Sequence, residues 1–296
     1  MPTLAVAPML DCTDKHARFL YRLLSQHTTL YTEMVVAQAL QYRDPKRWLD
    51  YHQAEHPIVL QLAGSEPNHL AHASHLAADW GYDAINLNVG CPSDKVTAGH
   101  FGACLFLEPE RVATCVAAMH AASLLPVSVK TRIGVDARDQ YEDLHDFVTQ
   151  VSQAGCHTFI IHARKAWLTG LNPAQNRTIP PLHYETVYRL KHDFPALTIS
   201  INGGINTIHE AWQLCQQGGL NGAMLGRAIY ANPYLLAEAD TVFYGTESKT
   251  TNIVDILSYF CDYLEGSNQA TVRTATRHLQ GLFKGQAGAR QWRKSL

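Results

Sequence analysis

No stretch of this 296-residue chain approaches the roughly eighteen consecutive apolar residues that cross a bilayer, so no membrane span is expected. The start, Met1-Pro2-Thr3-Leu4, lacks a basic region ahead of an apolar one, and no secretory leader is expected. The seven cysteines form no Cys-x-x-Cys pair. An odd, scattered set fits reduced thiols in a cytoplasmic protein better than a disulfide framework. The 16 histidines include no His-x-x-x-His flanked by Glu, and no metal is expected. Charged residues make up only 17% against 46% hydrophobic, which excludes a disordered chain and allows one large α/β domain or two smaller ones. Acidic residues are missing altogether from 266 to 296, although Arg273, Arg277, Lys284, Arg290, Arg293 and Lys294 lie there. Because the whole chain carries only −2, the remainder is acidic. A basic tail on an acidic body fits a polyanion partner, and it fits a solvated helix face about equally well.

What is present is a rhythm. Short apolar runs at 4–7, 30–33, 58–61, 84–88, 127–130, 159–162, 198–202 and 222–225 alternate with helical stretches or long loops. Continuous rather than alternating hydrophobicity is expected of parallel strands buried on both faces. The intervening helices carry their own punctuation. Ser65-Glu66-Pro67 opens one, with Leu70, Ala73, Ala77 and Trp80 in period and Gly81 at its end. Glu108-Pro109 opens another, with Val112, Cys115, Val116 and Met119 on one face. Leu144, Phe147, Val148 and Val151 mark a third, Val187 and Leu190 a fourth. Thr207 caps a fifth that turns Ile208, Ala211, Leu214 and Cys215 inward. Cys115 and Cys215 therefore read as small core residues. The size and rhythm predict a (β/α)8 barrel over 1–240. A doubly wound sheet is the runner-up, weakened because no Gly-x-Gly-x-x-Gly follows the first strand. Residues 240–251 read as a polar linker. A stripe of Ile253, Ile256, Leu257, Phe260 and Leu264, and a second pattern over 271–283, predict a small helical domain over 241–296.

In such barrels the chemistry lies at the C-terminal ends of the strands. Here those ends are polar throughout: Asp11, Glu33, Gln61, Asn86 and Asn88, Lys130, His162, Asn202 and Arg227. Asn86-Leu87-Asn88-Val89-Gly90-Cys91-Pro92 presents a thiol in a turn, open to service as nucleophile, metal ligand or proton donor. Asn202-Gly203-Gly204 and Gly226-Arg227, after strands seven and eight, suggest a phosphate site; two tight turns are the plainer reading. Lys130 at the end of a buried strand is costly unless it has a partner. Lys130 suits a Schiff base, an acid or a partner for an anionic ring, and His162 suits a carbonyl. Gln61 and Asn88 can read a heterocycle edge with donor and acceptor together. A planar heteroaromatic cofactor with a phosphate tail would use all of these, and flavin mononucleotide (FMN) fits.

Taken in order, Ala7-Pro8-Met9, Thr32-Glu33-Met34, Gln61-Leu62-Ala63-Gly64, Asn86 through Pro92, Lys130-Thr131-Arg132-Ile133-Gly134, Ile161-His162-Ala163-Arg164, Asn202-Gly203-Gly204-Ile205 and Gly226-Arg227 resemble the tRNA-dihydrouridine synthases. The stretches 164–173 and 176–182 resemble the bacterial A-type subfamily, which acts at positions 20 and 20a of the D-loop. The resemblance implies an FMN-dependent reductase supplied by NADPH. It passes hydride from flavin N5 to uracil C6 and a proton from Cys91 to C5. It also implies that Pro8, Met9 and Leu10 lie along the flavin and that Gln61, Lys130 and His162 contact its ring. Asn202, Gly203, Gly204, Gly226 and Arg227 would hold the phosphate, and Asn88, Arg177 and Arg277 would touch tRNA. A cytoplasmic monomer without an obligate protein partner is expected. The alternatives are a flavin barrel reducing a free pyrimidine or other small molecule, a non-catalytic RNA-binding barrel, and an aldolase using Lys130.

Overall fold

Each apolar run is followed by a helix that needs a surface to cover, and parallel pairing of the runs supplies it. The computed structural model describes residues 1–247 and 252–296, so the last part of the linker-like stretch, 248–251, lies outside the described residues. The strands are β1 (Thr3–Val6), β2 (Thr29–Tyr31), β3 (Val35–Val36), β4 (Ile58–Ala63), β5 (Ala84–Val89), β6 (Val127–Arg132), β7 (Thr158–His162), β8 (Thr198–Asn202) and β9 (Gly222–Leu225). They pair in the order β2-β1-β9-β8-β7-β6-β5-β4, and β2 pairs with β4 to close the ring. Every pairing is parallel. The two-residue β3 only extends the edge of β4, at Val35↔Leu62 and Val36↔Ala63. The eight remaining strands form the expected (β/α)8 barrel.

The expected strand at 30–33 is thus split. Thr32 still bonds Val59 O through its amide, but its hydroxyl accepts from Gln61 N at 3.0 Å and donates to Glu33 O at 2.7 Å. That local bond takes Glu33 out of the ladder, and pairing resumes two residues later. Elsewhere the strands run further than the apolar runs, to Ala63 in β4 and Arg132 in β6.

Covering the strands are α1 (Lys15–Leu24), α2 (Ala37–Tyr42), α3 (Lys46–Leu49), α4 (Pro67–Asp79), α5 (Asp94–Ala98), α6 (Pro109–Ala122), α7 (Tyr141–Gln153), α8 (Tyr184–Asp193), α9 (Ile208–Gly218) and α10 (Arg227–Ala231). The inward faces match the periodic residues: Val112, Cys115, Val116 and Met119 in α6, Leu144, Phe147, Val148 and Val151 in α7. Thr207 caps α9 by accepting from Glu210 N at 3.0 Å. Inside the ring, strand alternation turns every second side chain inward. Ala7, Tyr31, Val59, Ile160 and Met224 form an apolar plug there, separate from the helix-facing core. Amides and cations lie above it, so the interior changes from apolar to polar toward the strand C-termini.

The C-terminal region is helical: α11 (Ile253–Leu264), α12 (Gln269–Thr276) and α13 (Ala289–Ser295), with a 3-10 turn at Arg277–Gly281. That turn breaks the single pattern expected over 271–283. The linker reading of residues 240–244 is corrected as well. Asp240–Tyr244 is a π-helical turn with Phe243 fully buried, edge-on to Trp212. Asp240 accepts from Ser25 Oγ and Gln26 N, at 2.6 and 2.7 Å, which clips this segment to the end of α1. Tyr263 of α11 stacks on Phe19 of α1 with ring centroids 3.9 Å apart. No helix among the described residues is long and apolar enough to cross a membrane.

Asp14 joins the two regions at the start of α1. Its Oδ1 caps the amides of His16 and Ala17, and it also meets His278 Nε2 at 2.9 Å and Arg277 Nη2 at 2.9 Å. Burial alone would raise this carboxyl. The bond to His278, the His278 charge and the Ala17 amide instead hold it well below the ordinary carboxylate range. A depressed carboxylate contributes stability above its unfolded value of about 4 and loses it as pH falls further. Asp14→Ala is expected to lower unfolding free energy by about 2 kcal/mol near neutrality, combining a lost cap with stranded partners. The deficit should shrink in acid. Urea unfolding at pH 7 and pH 3 checks this, and an equal deficit at both would contradict the linkage.

Candidate active site at the strand C-termini

Period-two alternation places Gln61 of β4, Asn86 and Asn88 of β5 and Ser128 and Lys130 of β6 on the inner face. The register then sets them side by side: Gln61↔Asn86, Asn86↔Ser128 and Asn88↔Lys130. Their side chains form a directed chain. Asn88 Nδ2 donates to Gln61 Oε1 at 2.9 Å, and Gln61 Nε2 donates to Asn86 Oδ1 at 2.8 Å. Asn86 Nδ2 then donates to Ser128 Oγ at 2.9 Å, which donates to Ile85 O. In a dry barrel each unpaired amide would be costly, so the chain fixes which end of Gln61 is donor and which acceptor.

The same chain holds the thiol. Asn88 Oδ1 accepts the amides of both Gly90 and Cys91 at 3.0 Å. Ala103 N donates to Cys91 O at 2.8 Å, and Gly102, at φ +77°, leaves no room for a side chain against that carbonyl. Cys91 is half-buried, and its Sγ donates to Ser93 Oγ at 3.6 Å. Asn88, expected to touch RNA, is 8% exposed and is engaged mainly within the protein.

From β6 onward, beginning beside Asn88, the groups are cationic. Lys130 Nζ donates to Asn202 Oδ1 at 3.0 Å, and Asn202 Nδ2 donates to Met224 O at 2.7 Å. Lys130 has no carboxylate partner among the described residues. Burial first, and then the Arg132 charge, push its amino group down to about 7. His162 is buried, with Nε2 unpartnered. Burial and the charges of Arg132, Lys130, Arg164 and Arg227 lower it far enough to keep the ring neutral at pH 7. Gly203, at φ +113°, approaches so closely that a Cβ there would lie 2.4 Å from His162 Cδ2. Arg164 donates to Pro180 O and leaves a buried Nε without a partner. Arg227 is exposed and donates to Arg177 O at 3.1 Å. Across the mouth, Gly226 lies against Met9, and Leu10 is 66% exposed.

The residues expected to hold a cofactor lie in linked pairs around one mouth, Lys130 with Asn202, His162 with Gly203 and Met9 with Gly226, while Gln61 is bonded to Asn88, the residue expected to touch tRNA. They suit an anionic, planar, phosphate-bearing group. Among the described residues His162 Nε2 and Arg164 Nε are buried without partners, Lys130 lacks a counter-charge, and Gly226 directly precedes Arg227. Arg177 is exposed on the loop after β7, and its side chain has no partner among the described residues. Arg277 is not brought to that loop; it is tied to Asp14. Arg132, legible from its spacing as a charge two residues from Lys130, is also buried at the hub of the site, where it bonds three backbone carbonyls. No spacing announces carbonyl acceptors.

The fold and the site define a (β/α)8-barrel enzyme with its chemistry at the strand C-termini. A family model described as dihydrouridine synthase (Dus) matches residues 5–296, and the chain belongs to that family. It is similar to the tRNA-dihydrouridine(20/20a) synthase of Vibrio cholerae, 51% identical over 99% of this chain and 90% of that protein. It is also similar to the proteins of the same name from Synechocystis, 50% identical, and Shewanella oneidensis, 51% identical, each over 99% of this chain and 88% of theirs.

A lysine lowered to about 7 destabilises the fold below that pH, and the penalty is relieved as pH rises toward the unfolded value of about 10. Unfolding free energy of the cofactor-free protein, measured relative to Lys130→Met so that the other titrating groups cancel, should therefore rise between pH 7 and 10. Lys130→Met should be the more stable protein at pH 6. Equal pH dependence of the two in urea would contradict the assignment.

Proposed function

We propose that this chain reduces the C5–C6 double bond of uridine to dihydrouridine in tRNA, at positions 20 and 20a of the D-loop. It would do so as a cytoplasmic monomer with FMN as cofactor and NADPH as reductant. One observation carries the reading: a half-exposed thiol on a fixed turn at β5 faces a set of cations at β6 to β9 that lack carboxylate partners. Family membership and the three relatives support it.

Bound FMN, once reduced, supplies a hydride. Pro8, Met9 and Leu10 would line the face of its ring, and Gln61, Lys130 and His162 its polar edge. Asn202, Gly203, Gly204, Gly226 and Arg227 would hold its phosphate. Lys130, once protonated, would offer its charge to an anionic group bound beside it, and such an anion would favour the lysine's charged form. His162, held neutral, can still donate one N–H to a carbonyl. Cys91 delivers the proton to C5 of the uracil, acting as general acid. Asn88 keeps its hold on the Cys91 turn and presents its remaining N–H to the base.

The target base must leave the tRNA fold to reach this mouth, and cations must hold the backbone while it does. Arg177 beside the mouth is free for that task. So are Arg273, Lys284, Arg290, Arg293 and Lys294, all exposed and without ion pairs among the described residues. Arg277, if it touches RNA, must share its guanidinium with Asp14.

Purified protein should be yellow with an FMN spectrum, and Cys91→Ala should keep the colour while losing most turnover. Loss of dihydrouridine at 20 and 20a in tRNA from cells lacking the protein tests the substrate; unchanged tRNA there would reject it. For RNA contact, Arg177→Ala should weaken tRNA binding and reduce the slope of log K against log salt by about one. An unchanged slope would remove Arg177 from the interface.

A further inference from the structure

Arg132 ends β6 with 3% of its surface exposed, and no carboxylate pairs with it among the described residues. Its fork is occupied by backbone. Nε donates to Gly90 O at 2.9 Å, and Nη1 donates to Lys165 O at 3.1 Å and Asn176 O at 3.0 Å. The first carbonyl belongs to the turn that carries Cys91. The other two belong to the loop between β7 and α8, which carries Arg177.

That loop is tied together from within. The fully buried Asn176 side chain accepts from Trp167 N at 2.8 Å and donates to Trp167 O and Leu171 O at 2.9 and 3.0 Å. Lys165 lies over the Trp167 ring, 4.0 Å from its centre. From the other side, Arg227 holds Arg177 O. One guanidinium therefore joins the two segments, and only a planar fork can serve three carbonyls in these directions; an ammonium on a flexible stem cannot.

We propose that Arg132 is a positioning residue that locks the Cys91 turn to the Arg177 loop, so that RNA seated on Arg177 meets the thiol at a preset place. The functional half of this rests on the proposed roles of Cys91 and Arg177; the lock itself does not. Burial and neighbouring charges lower the Arg132 pKa only to about 10, so the fork stays fully protonated at working pH.

The test compares holoprotein carrying Arg132→Lys or Arg132→Met with wild type. One readout is alkylation of Cys91 by iodoacetamide without RNA, followed on the Cys91 peptide by mass spectrometry. The other is kcat and KM for tRNA. Both variants should alkylate roughly tenfold faster, because the Gly90 carbonyl loses its donor and the turn opens. Both should lose about a hundredfold in kcat with a smaller change in KM, at unchanged flavin absorbance. Wild-type alkylation in Arg132→Lys overturns the lock, whatever happens to kcat, since charge alone would then suffice. If Arg132→Met does not fold, Arg132→Lys decides alone. Faster alkylation in variants of a protein that reduces no tRNA, even as wild type, would uphold the lock and reject the substrate instead.

Discussion

A buried amide must place each donor and acceptor against a partner, because the interior offers no water to make up a shortfall. The chain from Asn88 through Gln61 and Asn86 to Ser128 meets that demand, and the site depends on it. Its lower end is anchored on Ile85 O, deep in the sheet. Its upper end accepts the Gly90 and Cys91 amides and so determines how the thiol leaves β5. The thiol's placement is thus set by a polar network running down the barrel wall. Each member lies on a different strand or a different layer, so barrel closure and site geometry are one requirement.

Charge is divided across the mouth. Lys130, Arg132, His162, Arg164 and Arg227 come from β6 onward, while Asp11, Asp14 and Glu33 follow β1 and β2. The Glu33 carboxyl is raised by burial first and then by Asp14 and Asp11, while across the mouth burial first and then like charges depress Lys130 and His162. Both walls are therefore frustrated on their own. Among the described residues each wall holds unpartnered buried atoms, Glu33 Oε1 on the acidic side and His162 Nε2 and Arg164 Nε on the cationic side, where Lys130 also lacks a counter-charge. An anionic ligand on the cationic side would supply the counter-charge that Lys130 lacks.

Much of this was legible from residue order. Helical faces in α6, α7 and α9 follow from a period of about 3.6 residues, which packing leaves little freedom to alter. Strand ends were legible because a polar group closing an apolar run has no packing reason to be there. Three features were not. The split after Tyr31 turns on one Thr32 hydroxyl choosing a neighbouring carbonyl. The turn at Asp240–Tyr244 looked like linker because its anchors, Ser25 and Gln26, are far away in sequence. Arg132 acts on backbone carbonyls, and every residue has one. In each case the partner is tertiary and carries no mark in the sequence.

The placement of the basic tail follows from the same kind of distant partnership. Arg277 and His278 meet Asp14, which caps the helix leaving β1, so the helical region is fastened at the mouth end of the barrel. Stacking of Tyr263 on Phe19 fastens α11 along the same helix. Of the tail's cations, the one satisfied internally is the one at the joint; those beyond it are exposed and have no ion pairs among the described residues. Charge neutralised inside the protein cannot also release counterions from a nucleic acid. The joint therefore uses one cation to orient the region and leaves the others, unpaired among the described residues, at the mouth end of the barrel, which is where the proposed RNA contact would draw on them.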